Sequence, residues 1–167
     1  MLHLHVIFAV DRAGLVGEDG ETHHGVYDVG FLRHAPGLTV LAPASRKELS
    51  EMFTWAVEEQ NGPVAIRYPR GGDRGYTESA WNPEYTVFSH RSGDDIALIT
   101  YGVLLDNAMK AAELLSEQGI ETSVLRLTEL SSLPVEQIAG LIAEKKHVVV
   151  LEETSGHCGI CQELSYE

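Results

Sequence analysis

A chain of 167 residues with 44% hydrophobic and 22% charged side chains carries enough apolar mass to bury a core, which excludes disorder as its main state. Twelve Lys and Arg against 25 Asp and Glu leave a net charge of −13, and this opposes nonspecific attraction to nucleic acids and to anionic membrane surfaces. No apolar run approaches the roughly 20 residues that span a bilayer, and the start of the chain lacks the pattern of a secretory signal, so a cytoplasmic location is expected with no membrane partner.

Leu4 to Val10 is a short apolar, β-branched run that ends at Asp11-Arg12, the pattern of a buried strand delivering a polar loop. A helix with Val26, Val29, Phe31 and Leu32 on its buried side is expected after Gly25. Ala35-Pro36-Gly37 then breaks the chain before a second strand, Leu38 to Ala42, which Pro43 ends. Ser45-Arg46-Lys47-Glu48 has the form of a capping box, and Leu49, Met52, Phe53, Ala56 and Val57 follow at helical spacing to about Gln60. After Asn61-Gly62-Pro63 a third strand, Val64 to Tyr68, directs Arg67, Pro69 and Arg70 to the same strand-end edge.

Gly71, Gly72, Gly75 and Pro83 punctuate an aperiodic stretch, so residues 73–90 read as a linker between a first domain, 1–72, and a second, 91–167. The pattern then restarts with a strand at Ile96 to Thr100 and a helix through Leu104, Ala108, Ala111 and Leu115 that Gly119 caps. A strand at Thr122 to Leu127 follows. Pro134 opens another helix through Ile138, Leu141 and Ile142, His147 to Leu151 is a strong strand, and a last helix starts near Ile160. Alternation of strands and helices predicts an α/β protein with two consecutive parallel-sheet domains.

The loop from Asp11 to Gly25 carries the chemistry. Ligands in open α/β sheets bind beyond the carboxyl ends of strands, where this loop sits. Its glycines admit close backbone approach, while Arg12, Asp19, His23 and His24 offer a permanent cation, a carboxylate and two groups that titrate near neutrality. These residues suit a small anionic substrate undergoing proton transfer. The same composition also suits a solvated surface loop, and Arg70 alone could be an ion-pair partner of Asp73 or Glu78.

Asp11-Arg12-Ala13-Gly14-Leu15-Val16-Gly17, then Asp19-Gly20-Glu21-Thr22-His23, and far downstream Arg67-Tyr68-Pro69-Arg70-Gly71, together resemble the 1-deoxy-D-xylulose-5-phosphate synthase family of the thiamine-diphosphate-dependent transketolase group. The resemblance is strong to about residue 72 and diffuse beyond it. It implies a transferase joining pyruvate to glyceraldehyde 3-phosphate with loss of carbon dioxide, a step toward isoprenoid precursors. Arg12 and Arg70 would then grip the acceptor phosphate, Asp19 would bond the acceptor hydroxyls, and His23 would move a proton at the reacting carbon. Tyr68 would be structural support, and the intact enzyme a homodimer.

The resemblance also implies thiamine diphosphate and Mg²⁺, held in the group by a Gly-Asp-Gly motif with a later Asn, together with a glutamate and an aromatic residue. That motif is not found in this sequence, so the main cofactor-binding residues are expected upstream of it. Met1 then opens inside the pyrimidine-binding domain, the C-terminal domain stops short, and the chain alone is expected to be inactive without an N-terminal domain or subunit. Two other readings are the small subunit of a split transketolase and a noncatalytic oligomerisation or binding module. No metal site is expected within the chain. His157-Cys158-Gly159-Ile160-Cys161 has a redox-like spacing but reads as packing, and His3, His5, His34, His90 and His147 read as structural or solvated.

Overall fold

The computed structural model describes residues 4–165, which leaves His3 outside the described residues. β1 (Ile7–Val10), β2 (Thr39–Leu41) and β3 (Val64–Arg67) form a parallel sheet in the order β1-β3-β2. β3 lies in the middle, and all four of its residues are buried, as an apolar strand covered on both faces must be. α1 (Asp28–Leu32) and α2 (Arg46–Glu58) connect these strands. The Ser45 hydroxyl accepts the Glu48 N–H at 3.1 Å and so starts α2, which seats fully buried Met52 and Ala56 against Leu41, Val64 and Ile66.

The second sheet has the order β4-β6-β5-β7, built from β4 (Val87–Arg91), β5 (Ile96–Tyr101), β6 (Thr122–Leu127) and β7 (His147–Leu151). β5, β6 and β7 run parallel, whereas β4 pairs antiparallel with β6. α3 (Leu105–Ser116) returns the chain from β5 to β6, α4 (Val135–Ile142) returns it from β6 to β7, and α5 (Ile160–Leu164) follows β7. Gly119, at φ 76°, takes the left-handed conformation that ends the α3 connection.

Three expectations change. The linker read over 73–90 ends earlier, because Val87–Arg91 is the antiparallel edge strand β4, and the second sheet is therefore parallel-dominated rather than wholly parallel. α1 is only five residues long and buries Val29, but it leaves Phe31 64% exposed. Arg67 does not reach the strand-end rim: it is buried, with its fork on Asp28 at 2.9 and 3.4 Å and its guanidinium 5.2 Å from the Tyr101 ring centre.

The two halves share one core. Val29, Val40 and Ala42 from the first pack with Ile99, Leu127, Leu130, Ile138 and Ile160 from the second. Backbone bonds cross the boundary, from Ala42 N–H to the Thr128 carbonyl at 2.9 Å and from Leu130 N–H to the Val40 carbonyl at 2.8 Å. Beneath them Arg126 of β6 donates to both oxygens of Glu48 of α2, at 2.5 and 2.8 Å, with both side chains fully buried. Among the described residues no helix is long and apolar enough to cross a membrane.

Candidate active site

The carboxyl ends of β1, β2 and β3 open into a cavity of about 460 Å³. Asp11 and Arg12 enter it from the end of β1, Pro43 from β2, and Tyr68 to Asp73 from β3, with Ser45, Arg46 and Leu49 closing the side at the start of α2. Val103, after β5, is the second domain's contribution. Three of the chain's eight arginines, Arg12, Arg46 and Arg70, therefore line one concavity of a strongly acidic molecule.

Arg12 is held there by the fold of the loop behind it. Its backbone lies at φ 56°, the left-handed region that glycine favours, and the chain then doubles back so that Gly25 pairs with Ala13 and Gly14. The Gly25 N–H donates to the Arg12 carbonyl at 2.9 Å, and a Cβ on Gly25 would stand 2.5 Å from that oxygen. Gly25 is thus the residue that lets the loop close. Val16 N–H donates to His24 Nδ1 at 2.9 Å, which makes His24 a brace within the same loop.

The structure brings Arg12 and Arg70 together on a single carboxylate. Arg12 Nε donates to Asp19 Oδ2 at 2.8 Å and an Arg70 amino group donates to Asp19 Oδ1 at 2.5 Å. Burial pushes the Asp19 carboxyl up, but the two guanidinium hydrogen bonds and charges outweigh it and hold the group below its ordinary range. Arg12 also donates to Asp11 at 3.1 Å, and Glu18 lies 3.6 Å from Arg70.

Asp19 and His23 do not line the cavity. Asp19 is spent on the two arginines. His23 sits exposed in a short 3-10 turn, Glu21–His23, with Nδ1 at 3.1 Å from the Thr22 hydroxyl. Tyr68 lines the cavity wall, and its carbonyl accepts the Ala13 N–H at 3.0 Å. The residue the sequence did not single out is Arg46, which reads as an ordinary charged residue in a helix's first turn.

The remaining candidates do not line this cavity. Cys158 and Cys161 are free thiols, and Cys158 packs on Gly30 of α1 so closely that a Cβ there would lie 2.7 Å from Cys158 Cβ. His5 bonds the Ala56 carbonyl and His34 the Gly30 carbonyl. His90 accepts from Arg126 Nε at 3.0 Å, and burial together with the Arg126 charge lowers it to about 4, so it stays neutral.

Residues 2–73 match the transketolase pyrimidine-binding domain and residues 86–167 the transketolase C-terminal domain. The chain is 41% identical over 155 residues to a 1-deoxy-D-xylulose-5-phosphate synthase of Microcystis aeruginosa, covering 90% of this chain and 24% of that protein. To the synthase of Chlorobium luteolum it is 41% identical over 159 residues, covering 92% of this chain and 25% of that protein. It thus spans about a quarter of the length of these relatives. Its fold superposes on a split-gene transketolase, solved as an inactive tetramer, with a TM-score of 0.82 and 24% identity over 96% of this chain and 52% of that one. A transketolase mutant from Pichia stipitis superposes with a TM-score of 0.74 and 20% identity, over 92% of this chain and 24% of that one. The chain belongs to the transketolase family, with a pyrimidine-binding domain followed by a C-terminal domain.

Proposed function

We propose that this chain forms part of a 1-deoxy-D-xylulose-5-phosphate synthase, which joins pyruvate to glyceraldehyde 3-phosphate with loss of carbon dioxide. The observation that carries the reading is the convergence of Arg12 and Arg70, 58 positions apart in the sequence, on Asp19 beside a cavity at the strand ends. A phosphate ester of a triose fits such a place, because guanidinium forks match phosphate oxygens in both charge and geometry. In this reading Arg12 and Arg70 face the acceptor phosphate, and Asp19 fixes both forks and becomes available to acceptor hydroxyls if they part. His23, exposed on its short turn, moves a proton at the acceptor carbonyl oxygen, as an imidazole can with one nitrogen donating and the other accepting.

Thiamine diphosphate would supply the carbon nucleophile in the intact enzyme. Among the described residues no group of three or more His, Cys, Asp or Glu side chains gathers to hold a metal ion. The proposal assigns the cofactor's magnesium and diphosphate end to no residue of this chain. It includes a partner segment that holds the cofactor, homodimeric assembly of the whole, and action in the cytoplasm.

The test mixes this chain with the cofactor-binding N-terminal part of the Microcystis aeruginosa synthase, thiamine diphosphate, magnesium and both substrates. Product is expected from the mixture and not from the chain by itself. In the active mixture Arg70→Ala is expected to weaken use of glyceraldehyde 3-phosphate by roughly 30-fold to several thousand-fold, with a much smaller effect on pyruvate. His23→Ala is expected to lower turnover by roughly 10² to 10⁴-fold with less effect on acceptor affinity. Equal losses for both substrates in Arg70→Ala would count against the phosphate role. A second reading, the small subunit of a split transketolase, is favoured by the fold match to the split-gene transketolase. Preference for a longer sugar phosphate as acceptor would select it.

A further inference from the structure

One short segment, the end of β3 and the residues after it, grips the loop that carries Arg12, Asp19 and His23. The Tyr68 carbonyl accepts the Ala13 N–H at 3.0 Å near the start of the loop, and Arg70 donates to Asp19 in its middle. Arg67 holds the far end through Asp28, three positions past Gly25, where the loop closes on Ala13 and Gly14. Arg67 Nε donates to Asp28 Oδ2 at 2.9 Å and a terminal amino group donates to Oδ1 at 3.4 Å. Oδ1 also accepts the Val29 N–H at 2.9 Å, so one carboxylate both meets the guanidinium and fixes the backbone at the start of α1.

The second half of the chain holds Arg67 from the other side. The Tyr101 ring of β5 lies 5.2 Å from the guanidinium, and the Tyr101 hydroxyl donates to Glu152 Oε2 at 3.2 Å. Glu152 in turn accepts the Ile160 and Cys161 N–H groups at 2.9 and 3.1 Å, so the contacts run unbroken from the start of α5 to the end of the loop. Among the described residues two ion pairs have both side chains buried, Arg67–Asp28 here and Arg126–Glu48 between β6 and α2. A buried ion pair adds little to stability, since apolar side chains of similar volume pack as well or better. What it does supply is direction, because a guanidinium fork accepts a carboxylate in few orientations.

We propose that Arg67, backed by Tyr101, is a positioning residue for the loop Asp11–Gly25. Through Asp28 it fixes where the loop ends, and thereby where Arg12, Asp19 and His23 stand. Arg67 itself does not line the cavity at the strand ends, so it acts through the loop and not on a ligand there. The order of the loop then depends on the direction of the pair and not on the stability the pair confers. The bearing on catalysis rests on the synthase reading given above, whereas the anchoring of the loop does not.

The experiment follows cleavage of the whole chain by a glutamate-specific protease at Glu18 and Glu21, both exposed within the loop, alongside the thermal midpoint of each variant. Cleavage reports how often the loop opens, and the midpoint reports the whole molecule. The double variant Asp28→Leu with Arg67→Met replaces the pair by apolar groups; it is expected to keep a midpoint near wild type and to be cut in the loop roughly tenfold faster. Glu48→Leu with Arg126→Met, the same exchange at the other buried pair, is expected to be cut there at the wild-type rate. Arg67→Lys, with charge but no fork, should fall between wild type and the first double variant. Wild-type cleavage in the first double variant, or equal acceleration in both, would overturn the proposal. If the first double variant does not fold, Arg67→Lys decides, and its cleavage at the wild-type rate would overturn it. In the active mixture described above, Arg67→Lys is expected to raise the KM for glyceraldehyde 3-phosphate roughly tenfold and to leave that for pyruvate unchanged, and an unchanged acceptor KM would overturn the bearing on catalysis. Absence of product from the wild-type mixture would instead remove the synthase reading, and the cleavage rates would still decide whether Arg67 anchors the loop.

Discussion

Single side chains at the strand ends do two separable jobs, and pH tells them apart. Asp19 has a carboxyl held below its ordinary value of 3.8 by Arg12 and Arg70 acting against burial. A carboxylate whose folded pKa is depressed contributes stability that is present above the unfolded value and is lost as pH falls through the folded one. Asp19→Asn is therefore expected to lower the unfolding midpoint by a constant amount above about pH 5, with the difference shrinking below about pH 4. A pH series of thermal melts on both proteins checks this, and a gap that widened on acidification would contradict the pairing. His90 has the same sign from a different cause, since burial and the Arg126 charge lower it from 6.5 to about 4. The unfolded chain binds a proton at His90 between those values and the folded chain does not, so stability falls as pH drops through that window. His90→Asn should flatten the melting curve against pH over that range.

Secondary elements show both how far the sequence could be read and where it went silent. β6 and β7 occur at the limits that their β-branched runs suggest, Thr122–Leu127 and His147–Leu151, although only β6 is an internal, wholly buried strand and β7 is an edge strand whose first three residues are exposed. β4 did not announce itself, since Val87 and Phe88 are followed by Ser89, His90 and Arg91, and only pairing with β6 makes the segment a strand. The loop after β1 named Arg12, Asp19 and His23 by composition, but neither the closure of Asp19 onto both arginines nor the place of Arg46 in the cavity wall is a local property. Both depend on contacts between segments far apart in the chain. The Ser45-to-Glu48 motif was half legible: Ser45 accepts the Glu48 N–H, but the Glu48 carboxylate turns to the Ala44 N–H at 2.6 Å and to Arg126 rather than back to the cap. That geometry makes α2 depend on β6. Glu48→Leu leaves the Arg126 charge buried without its anionic partner and is expected to cost roughly 3 to 5 kcal/mol in denaturant unfolding. Adding Arg126→Met should recover much of the loss, because an apolar pair of similar volume removes the stranded charge.

The whole molecule has two sheets but one interior. Val40 and Ala42 of the first half pack with Leu127 and Leu130 of the second, and backbone hydrogen bonds join the same segments. Cooperative unfolding follows from that continuity: calorimetry of the chain is expected to show one transition with equal calorimetric and van't Hoff enthalpies. Two resolved transitions would mean that the halves are stable apart and that their shared core contributes little.

The outer strand of the first sheet has a further consequence for how the protein behaves in a tube. Among the described residues β1 pairs with β3 alone, and Phe8, on that strand, is 49% exposed, so its open edge and an aromatic ring invite another copy to add itself alongside. A surplus of 13 negative charges keeps copies apart in dilute buffer, and that protection weakens as salt screens it. Light scattering should therefore rise with sodium chloride at fixed protein concentration, and Phe8→Lys should suppress the rise by placing a charge on the open margin.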